Sequence, residues 1–497
     1  MEGIHLSSAS YLLLAALAVL LLGLVVDRLR KRRTASKGPS KAPGPEPWPV
    51  LGSLHLLGGY EVPYQAFDRL NKTYGPVVSI KLGQVQCLVL SSLEHIREVL
   101  ITKGDQFDGR PGFVRYHQLF DGDKQNSLAF SDWSEKHKMR REMLRDHTFP
   151  RAFTDRFHLL DSLLNDELHS LCGQLAAGVT NVKPALLQSV ANVFLSYFCN
   201  VKFAQDDVGF VKMVRNFDEI FYEVNQGYAA DFMPWLMPLH AGNLRKMRKW
   251  SVEIRKFMVE RIIQKRLESW TQGKEAADYV DVLVEHVNSK GKNGPEMDFN
   301  TAMFALEDIV GGHSAIANLI VKIIGFVAQN PQVQKRIQEE ADSIAPNRSV
   351  SLTDRSQMPY TEATVLEAIR HISSPIVPHV ANQTSDVAGY TVEKDTLIFL
   401  NNYTLNMSPE LWAEPEKFAP ERFISAEGKL TKPEHFLPFG GGRRSCMGYK
   451  LTQFISFVVL ATLVQQFDIA PVQTCKVPLG NLALPYDTMQ FLFSPRQ

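Results

Sequence analysis

The sequence predicts a mainly α-helical protein with small β-sheets, preceded by one N-terminal transmembrane helix. Three observations support this prediction: an apolar segment at the N-terminus, a long central stretch with helical patterning, and short β-rich runs on both sides of that stretch. The 497 residues are 45% hydrophobic and 22% charged, an ordinary globular composition. Because no repeat or low-complexity block interrupts the chain after residue 52, we expect one large domain over residues 53–497.

The N-terminal segment from Leu6 to Val26 is apolar, uncharged and long enough to span a bilayer. A basic run follows directly and ends at Arg33, whereas no Lys or Arg precedes the segment. The positive-inside rule then leaves the rest of the chain in the cytosol. A cleaved signal peptide would need a charged start and a small-residue cleavage site, and the sequence shows neither. Residues 1–33 are therefore predicted to be a single-pass signal anchor.

Residues 34–52 contain the sequence KAPGPEPWPVLG, in which proline recurs every few positions. Proline at this density prevents helix formation and gives a stiff, extended spacer. We expect this segment to be a hinge that ends the anchor and orients the domain on the membrane.

The domain begins with two β-rich runs around Gly83, which predict a hairpin. The apolar stretch 228–239 holds two prolines, and it is either a second membrane contact or a buried loop between helices. The remaining patterns predict helices from about 92 to 345 with loops near 105–130, 225–240 and 288–298, strands over 376–400, and short strands after 470.

Charge and cysteine content exclude several classes of protein. The formal net charge is +1, so nothing global indicates binding to nucleic acid. The five cysteines are scattered and odd in number, and no pair has the spacing of a zinc site. A disulfide framework is not expected, and the domain is predicted to function in a reducing compartment.

Residues 439–448 read FGGGRRSCMG, a glycine-rich loop with Cys446 just before a predicted helix. The pattern is Phe-x-x-Gly-x-Arg-x-Cys-x-Gly, with Phe439 at its start and Gly448 at its end. Gly442 and Gly448 permit close approach of the backbone to a flat macrocycle. Backbone N–H groups and a nearby Arg can hold the sulfur as an anion. A buried structural Cys is the other interpretation, but this spacing resembles the haem-ligand loop of the cytochrome P450 family.

That resemblance covers essentially residues 40–497 and implies the P450 fold, haem b (iron protoporphyrin IX) as cofactor and Cys446 as the iron ligand. A Cys ligand donates electron density through iron and favours O–O cleavage. Glu367 and Arg370 form an E-x-x-R pair on one helix face. With Arg422 in the downstream PERF sequence, they match the positions of the family's buried ion network, a structural role.

The family also implies which residues bind the haem propionates. Trp133 begins the sequence WSEKH, which occupies the place of the family's Trp-x-x-x-Arg, so His137 stands where Arg is usual. Arg140 and Arg141 follow one turn later and could substitute. His379 and Arg444 match further propionate-binding positions. Two carboxylates need several cationic or N–H donors, which this set supplies; His379 alone could equally be an ordinary strand histidine.

The helix expected over the oxygen-binding face departs from the family pattern, Ala/Gly-Gly-x-Asp/Glu-Thr. Gly311 and Gly312 occupy the first two positions, Ser314 replaces the acid and Ala315 replaces the Thr. Because a methyl group cannot donate a proton, the usual relay to dioxygen is incomplete. Three alternatives remain: His313, Ser314 and a water form the relay, the substrate's own hydroxyl delivers the proton, or the enzyme rearranges an oxygenated substrate without dioxygen. His313 could instead simply face a neighbouring helix.

Electron transfer is expected to follow the family's scheme. The resemblance implies NADPH-cytochrome P450 reductase as the electron donor, cytochrome b5 as a further candidate donor, and the endoplasmic reticulum membrane as the location. Basic residues expected around the cysteine side of the haem could dock an acidic flavoprotein, or form an ordinary solvated face. They are Lys136, Lys138, Arg140, Arg141, Arg145, Arg443 and Lys450.

Three stretches resemble a narrower group. The sequences GGHSA from Gly311, SPIVPHVAN from Ser374 and NNY from Asn401 are similar to the insect Spook and Spookier P450s, in the Halloween group of ecdysteroid (moulting hormone) biosynthesis. This resemblance implies oxidation of 7-dehydrocholesterol or a close derivative in an early step. Two alternatives stay open: a haem-thiolate isomerase or dehydratase that needs no reductase, and a haem-binding protein without turnover.

Overall fold

The computed structural model describes residues 41–271, 273, 275–288, 298–473 and 476–496. This part of the chain is mainly helical with small sheets, which confirms that part of the predicted fold class. The proposed anchor, residues 1–33, and the first part of the hinge lie outside the described residues.

The α-helices surround one long central helix. In chain order they are α1 (Pro63–Tyr74), α2 (Leu93–Arg97), α3 (Val114–Leu119), α4 (Glu135–Thr148), α5 (Asp155–Ala176), α6 (Val182–Cys199), α7 (Val208–Val224), α8 (Ala241–Met258), α9 (Gln264–Glu268), α10 (Tyr279–Asn288), α11 (Phe299–Gln329), α12 (Pro331–Ile344), α13 (Pro359–Ile372), α14 (Asn402–Met407) and α15 (Tyr449–Gln466).

The β-structure lies at the edges of this helical body. The strands are β1 (Val77–Leu82), β2 (Val85–Leu90), β3 (His379–Val380), β4 (Ser385–Val387), β5 (Tyr390–Val392), β6 (Leu397–Leu400), β7 (Phe467–Pro471) and β8 (Phe491–Pro495). The largest sheet has the order β1-β2-β6-β3, in which β2 and β6 are parallel and the other pairs are antiparallel. It therefore brings the N-terminal hairpin beside the strand that carries His379. The pairs β4-β5 and β7-β8 are separate two-stranded sheets.

The central helix α11 is defined by its ends and by its burial. The Asp298 side chain accepts a hydrogen bond from the Thr301 backbone N–H and caps the first turn. The helix ends before Pro331, which starts α12 because its fixed φ suits a first helical turn. Among the described residues, α11 is the one helix long and apolar enough to cross a membrane, but 83% of its apolar window is buried inside the protein. It is thus the core helix of the domain.

Two regions expected to be loops contain regular structure. Helix α3 lies inside the stretch expected to be a loop near 105–130. The stretch 228–239 forms short 3₁₀ turns; its first half is largely buried, whereas Trp235 is 57% and Leu239 80% exposed. The first half therefore agrees with the buried-loop alternative, whereas a membrane contact by the exposed second half stays a prediction.

Candidate functional site

A cavity of about 410 Å³ separates the middle of α11 from the loop that carries Cys446. Its wall is mainly apolar on the α11 side and contains cationic side chains near the Cys446 loop. The residues of α11 that line it are Asp308, Ile309, Gly312, Ala315, Ile316 and Leu319. This spacing corresponds to one face of a helix, so α11 presents a single continuous stripe to the cavity.

The Cys446 loop is held in a tight conformation that suits its position on the cavity wall. The Cys446 backbone N–H donates to the Phe439 carbonyl at 3.0 Å, and both residues line the cavity with Gly448. Gly442 has φ +62°, and a Cβ there would lie 1.9 Å from the Leu100 carbonyl oxygen. Only glycine fits at this contact, which lets the loop pack directly against the backbone at Leu100.

Cys446 lies deep in the protein, yet its side chain is exposed because it faces the cavity. Burial raises the pKa of its thiol, while the Gly448 backbone N–H and the positive charge of Arg141 act in the opposite direction. Arg141 is fixed by its hydrogen bond to the Ser445 carbonyl at 2.8 Å. The loop thus supplies a thiol with two groups positioned to stabilise its anion.

Three arginines on the cavity wall fit a cofactor that carries carboxylates. Arg110, Arg141 and Arg444 have no Asp or Glu partner within 4.0 Å among the residues described. Their hydrogen bonds go to backbone carbonyls and, for Arg444, to His137. Burial lowers the pKa of all three guanidinium groups, that of Arg444 to about 10. Buried cations without anions are costly, so a dianionic group such as haem with its two propionates suits this site.

His137 supports Arg444 and does not line the cavity. Arg444 Nη1 donates to His137 Nε2 at 3.0 Å, so the proton of the neutral ring is on Nδ1, which donates to Ser131 Oγ at 2.8 Å. Burial and the neighbouring arginines lower the pKa of His137 to about 2. The Trp133 ring is tilted against the His137 ring, with centroids 5.2 Å apart, and lies under the Arg443 guanidinium, also outside the cavity lining. In this arrangement both residues position cations that approach the cavity.

His379 lies on β3, where its Nδ1 and the Phe107 carbonyl oxygen are 2.7 Å apart. Burial, with the positive charge of Arg110, lowers the pKa of His379 well below its usual value. A neutral ring that donates through Nδ1 leaves Nε2 as an acceptor, so it suits a polar position beside Arg110 better than direct ion pairing with a carboxylate.

The five α11 residues expected at the oxygen side do not all face the cavity. Gly312 and Ala315 line the cavity. His313 and Ser314 are fully buried away from it: His313 packs edge-on against Phe217 of α7, and Ser314 Oγ lies 3.4 Å from His313 Nε2. A Cβ on Gly311 would lie 3.1 Å from the Phe217 ring, so its small size serves helix packing. This geometry does not place a His313–Ser314 relay at the cavity.

Glu367, Arg370 and Arg422 meet in the core as the family pattern implies. Arg370 donates to both carboxylate oxygens of Glu367 at 2.7 and 2.8 Å, and Arg422 Nε donates at 3.0 Å. Glu367 and Arg370 are fully buried. The network joins α13 to the 3₁₀ turn Pro420–Phe423, on the polypeptide that leads to the Cys446 loop.

The basic set divides into surface and interior residues. Arg140 does not belong to a docking face: it is 1% exposed and donates to the carbonyls of Gln125, Asn126 and Ser127. Its inclusion in that face was wrong, because helix α4 turns Arg140 towards the preceding loop. Lys138, Arg145 and Arg443 are exposed, and Lys136 and Lys450 are half-buried.

Two charged cavity residues, Arg110 and Asp308, were not identified from the sequence. Arg110 lies in a loop and offers no local pattern, since its position depends on contacts with the distant residues Val377 and Pro378. Asp308 could have been found, because it precedes Gly312 by four residues and Ala315 by seven, and therefore shares their helix face.

Comparisons with known proteins agree with this geometry. Residues 42–493 match the family model described as cytochrome P450. The chain is 39% identical over 490 residues to cytochrome P450 307a1 of Drosophila melanogaster, covering 92% of this chain and 90% of that protein. It is 29% identical over 467 residues to the steroid 17-alpha-hydroxylase/17,20 lyase of Cavia porcellus (91% of each chain), and 30% identical over 494 residues to cytochrome P450 1A1 of Canis lupus familiaris (95% and 92%). The chain belongs to the cytochrome P450 family, whose cofactor is haem and whose members are monooxygenases.

Proposed function

We propose that this P450 oxidises a sterol, 7-dehydrocholesterol or a close derivative, in an early step of ecdysteroid hormone biosynthesis. The observation that carries the proposal is the apolar wall of α11 opposite Cys446, continued by Pro375, Ile376 and Val377. A flat, mostly apolar substrate gains free energy by removing this surface from water. Residues 374–382 contain one of the sequences that resemble the Spook and Spookier branch.

The relatives support this choice of substrate class. The Drosophila relative, P450 307a1, is Spook, a member of the branch that the chain resembles. The relative from Cavia porcellus is named as a steroid hydroxylase and lyase. Both cover at least 90% of their own length in the comparison, so the resemblance includes the whole catalytic domain.

Each part of the site has a proposed role. Cys446 would bind the haem iron, and Phe439 and Gly448 would pack beside the macrocycle. Arg110, Arg141 and Arg444 would hold the propionates. Trp133, His137 and His379 would position the neighbouring cationic side chains. When bound, haem supplies the centre at which dioxygen is activated and oxygen is transferred. The chain's other contribution is to exclude water and to hold the substrate along α11.

Electrons would come from NADPH through cytochrome P450 reductase, with cytochrome b5 as a second candidate donor. The exposed residues Lys138 and Arg145 of α4 and Arg443 of the Cys446 loop provide positive charge for an acidic partner. We place the protein in the endoplasmic reticulum membrane, anchored once by residues 1–33, with its domain in the cytosol. The exposed Trp235 and Leu239 would touch the same membrane surface.

One observation favours a second candidate function, an isomerase or dehydratase of an oxygenated lipid. Ala315 faces the cavity where an alcohol is usual in the family, while His313 and Ser314 face away. Among the described residues, the α11 side of the cavity wall therefore carries no hydroxyl proton donor. A rearrangement that consumes no external electrons would need neither this donor nor a reductase.

The test uses the purified, haem-loaded protein in lipid vesicles. Adding 7-dehydrocholesterol should shift the haem absorption spectrum in a saturable manner, and product should form only when NADPH and reductase are both present. Product formation without reductase would favour the isomerase or dehydratase. The absence of any spectral shift, in protein with a normal thiolate-ligated spectrum, would contradict the sterol proposal.

A further inference from the structure

Asp308 is an acidic residue on the otherwise apolar stripe that α11 presents to the cavity. The remaining members of this stripe are Ile309, Gly312, Ala315, Ile316 and Leu319. Asp308 lies deep in the protein, yet part of its surface is accessible. As with Cys446, that accessible surface faces the cavity. A carboxyl group in this position costs free energy unless something compensates for it.

Contacts within the protein offset the free-energy cost of burying the Asp308 carboxyl group only in part. The backbone N–H of Leu128 donates to its Oδ2, and the Ser127 side chain also contributes a hydrogen bond. Within the described ranges no Lys or Arg lies within 4.0 Å of it, although the charge of Arg140 acts from further away. Burial raises the pKa of Asp308 to about 6, because these contacts do not fully replace water. At a pH well above 6 the group is ionised and can accept a further hydrogen bond.

The adjacent acid, Glu307, has no such access to the cavity. Glu307 is 6% exposed, does not line the cavity, and lies 3.4 Å from Arg255 on the other side of the helix. Burial raises its pKa to about 8. Glu307 is thus a helix-packing residue, whereas Asp308 is the acid on α11 that a bound molecule can reach.

Position along α11 determines what Asp308 can do. It precedes Ala315 by seven residues, which corresponds to two turns and about 10 Å along the helix axis. That distance is too long for direct proton transfer to a group bound beside Ala315. It is comparable to the length of a fused-ring skeleton, so one end of such a molecule can lie at Asp308 while its ring system passes Ala315. The wall between them offers Ile309 and Gly312, which are apolar and small.

We propose that Asp308 is a specificity-determining residue that accepts a hydrogen bond from a hydroxyl group at one end of a rigid apolar substrate. This inference rests on the sterol function proposed above and identifies the group through which the sterol is oriented. Of the other polar residues on the cavity wall, Arg444 and Thr452 belong to the Cys446 side, whereas Arg110 and Ser374 lie with the Pro375–Val377 stretch. The hydroxyl contact therefore fixes which end of the molecule lies along the N-terminal half of α11.

A carboxylate accepts hydrogen bonds but cannot donate them, so it distinguishes a hydroxyl from a ketone. The test compares 7-dehydrocholesterol with the ketone obtained by oxidising its hydroxyl group. Both are titrated into haem-loaded protein at a pH well above 6, and dissociation constants are read from the change in the haem absorption spectrum. The ratio of the two constants is the quantity of interest. It does not depend on turnover.

The variant Asp308→Asn keeps an oxygen for the Leu128 N–H and turns a donor towards the cavity. The wild type should bind the alcohol about tenfold or more tightly than the ketone, as a hydrogen bond to a charged acceptor implies. In Asp308→Asn the preference should disappear or reverse. Glu307→Gln is the matched control: it changes the adjacent acid, which does not reach the cavity, and should keep the wild-type ratio.

Each outcome has a defined meaning. An equal ratio in wild type and Asp308→Asn, or a wild-type ratio near one, would overturn the role of Asp308 while leaving the sterol function in place. Loss of the preference in Glu307→Gln as well would assign the effect to general charge in α11 and would also overturn it. If neither compound binds to wild-type protein with a normal thiolate-ligated spectrum, the sterol function itself fails, and the inference fails with it.

Discussion

Replacing Glu367 with Ala is expected to destabilise the domain severely, because it breaks a buried ion network from its centre. Glu367 accepts four hydrogen bonds: two from Arg370, one from Arg422 and one from the Ala419 backbone N–H. Arg370 is fully buried and would keep only neutral acceptors, such as the carbonyls of Asn406 and Pro415. An uncompensated buried charge costs about 3–5 kcal/mol.

That free energy corresponds to a shift of roughly a hundred- to a few-thousand-fold in the folding equilibrium. We expect a lower guanidinium midpoint for unfolding and a shorter half-life at fixed temperature, since large proteins often unfold irreversibly. Haem retention should decrease in parallel, because the network lies on the polypeptide leading to the Cys446 loop. Circular dichroism and haem absorbance report the two processes separately.

Glu434→Ala is the matched control. Glu434 pairs with Arg97 at 3.2 Å, but its side chain is 80% exposed, and surface pairs contribute about 0–1 kcal/mol. If Glu367→Ala were no more destabilising than Glu434→Ala, the network would not be a structural determinant. A neutral mimic, Glu367→Gln, should remain strongly destabilised, because its amide group would still face the unpaired Arg370 guanidinium.

Three further predictions follow from the site. Cys446→Ala should abolish the reduced carbon monoxide spectrum of a thiolate ligand, and a surviving spectrum would make the ligand assignment wrong. Ala315→Thr should change product formed per NADPH only modestly if the substrate's own hydroxyl supplies protons, whereas a several-fold gain would show that the native wall lacks a needed donor. His137→Gln should lessen the loss of stability in acid. The native pKa of His137 is about 2, so below 6.5 the unfolded chain binds a proton that the native state does not, and stability falls by about 1.4 kcal/mol per pH unit. Denaturant unfolding between neutral pH and pH 5 checks this, and identical pH slopes in both proteins would contradict it.

The parts of the site that could be predicted from the sequence are those set by local geometry. The Cys446 loop is specified within ten residues, since Gly442 permits a backbone contact that no other residue fits. Glu367 and Arg370 lie three residues apart on one helix, which makes their pairing readable from spacing alone. The mainly helical fold follows similarly from periodic apolar patterns.

The parts that could not be predicted depend on which way a helix faces. Arg140 and Arg141 are neighbours in the sequence, but one points into a loop and the other lines the cavity. His313 lies next to Gly312, yet it packs against α7 while Gly312 faces the cavity. Such choices are made by tertiary packing, for which a single sequence gives no direct signal. Arg110 is the extreme case, because two of its three side-chain hydrogen bonds go to residues more than 260 positions away.

We propose that this P450 transfers oxygen to a sterol even though Ala315 replaces the usual alcohol. The most direct measurement is incubation of the haem-loaded protein with 7-dehydrocholesterol under isotopically labelled dioxygen, with and without NADPH and reductase, followed by mass spectrometry of the products. We expect labelled sterol product that requires both NADPH and reductase. Product that carries no label and forms without reductase would contradict it and favour an isomerase or dehydratase.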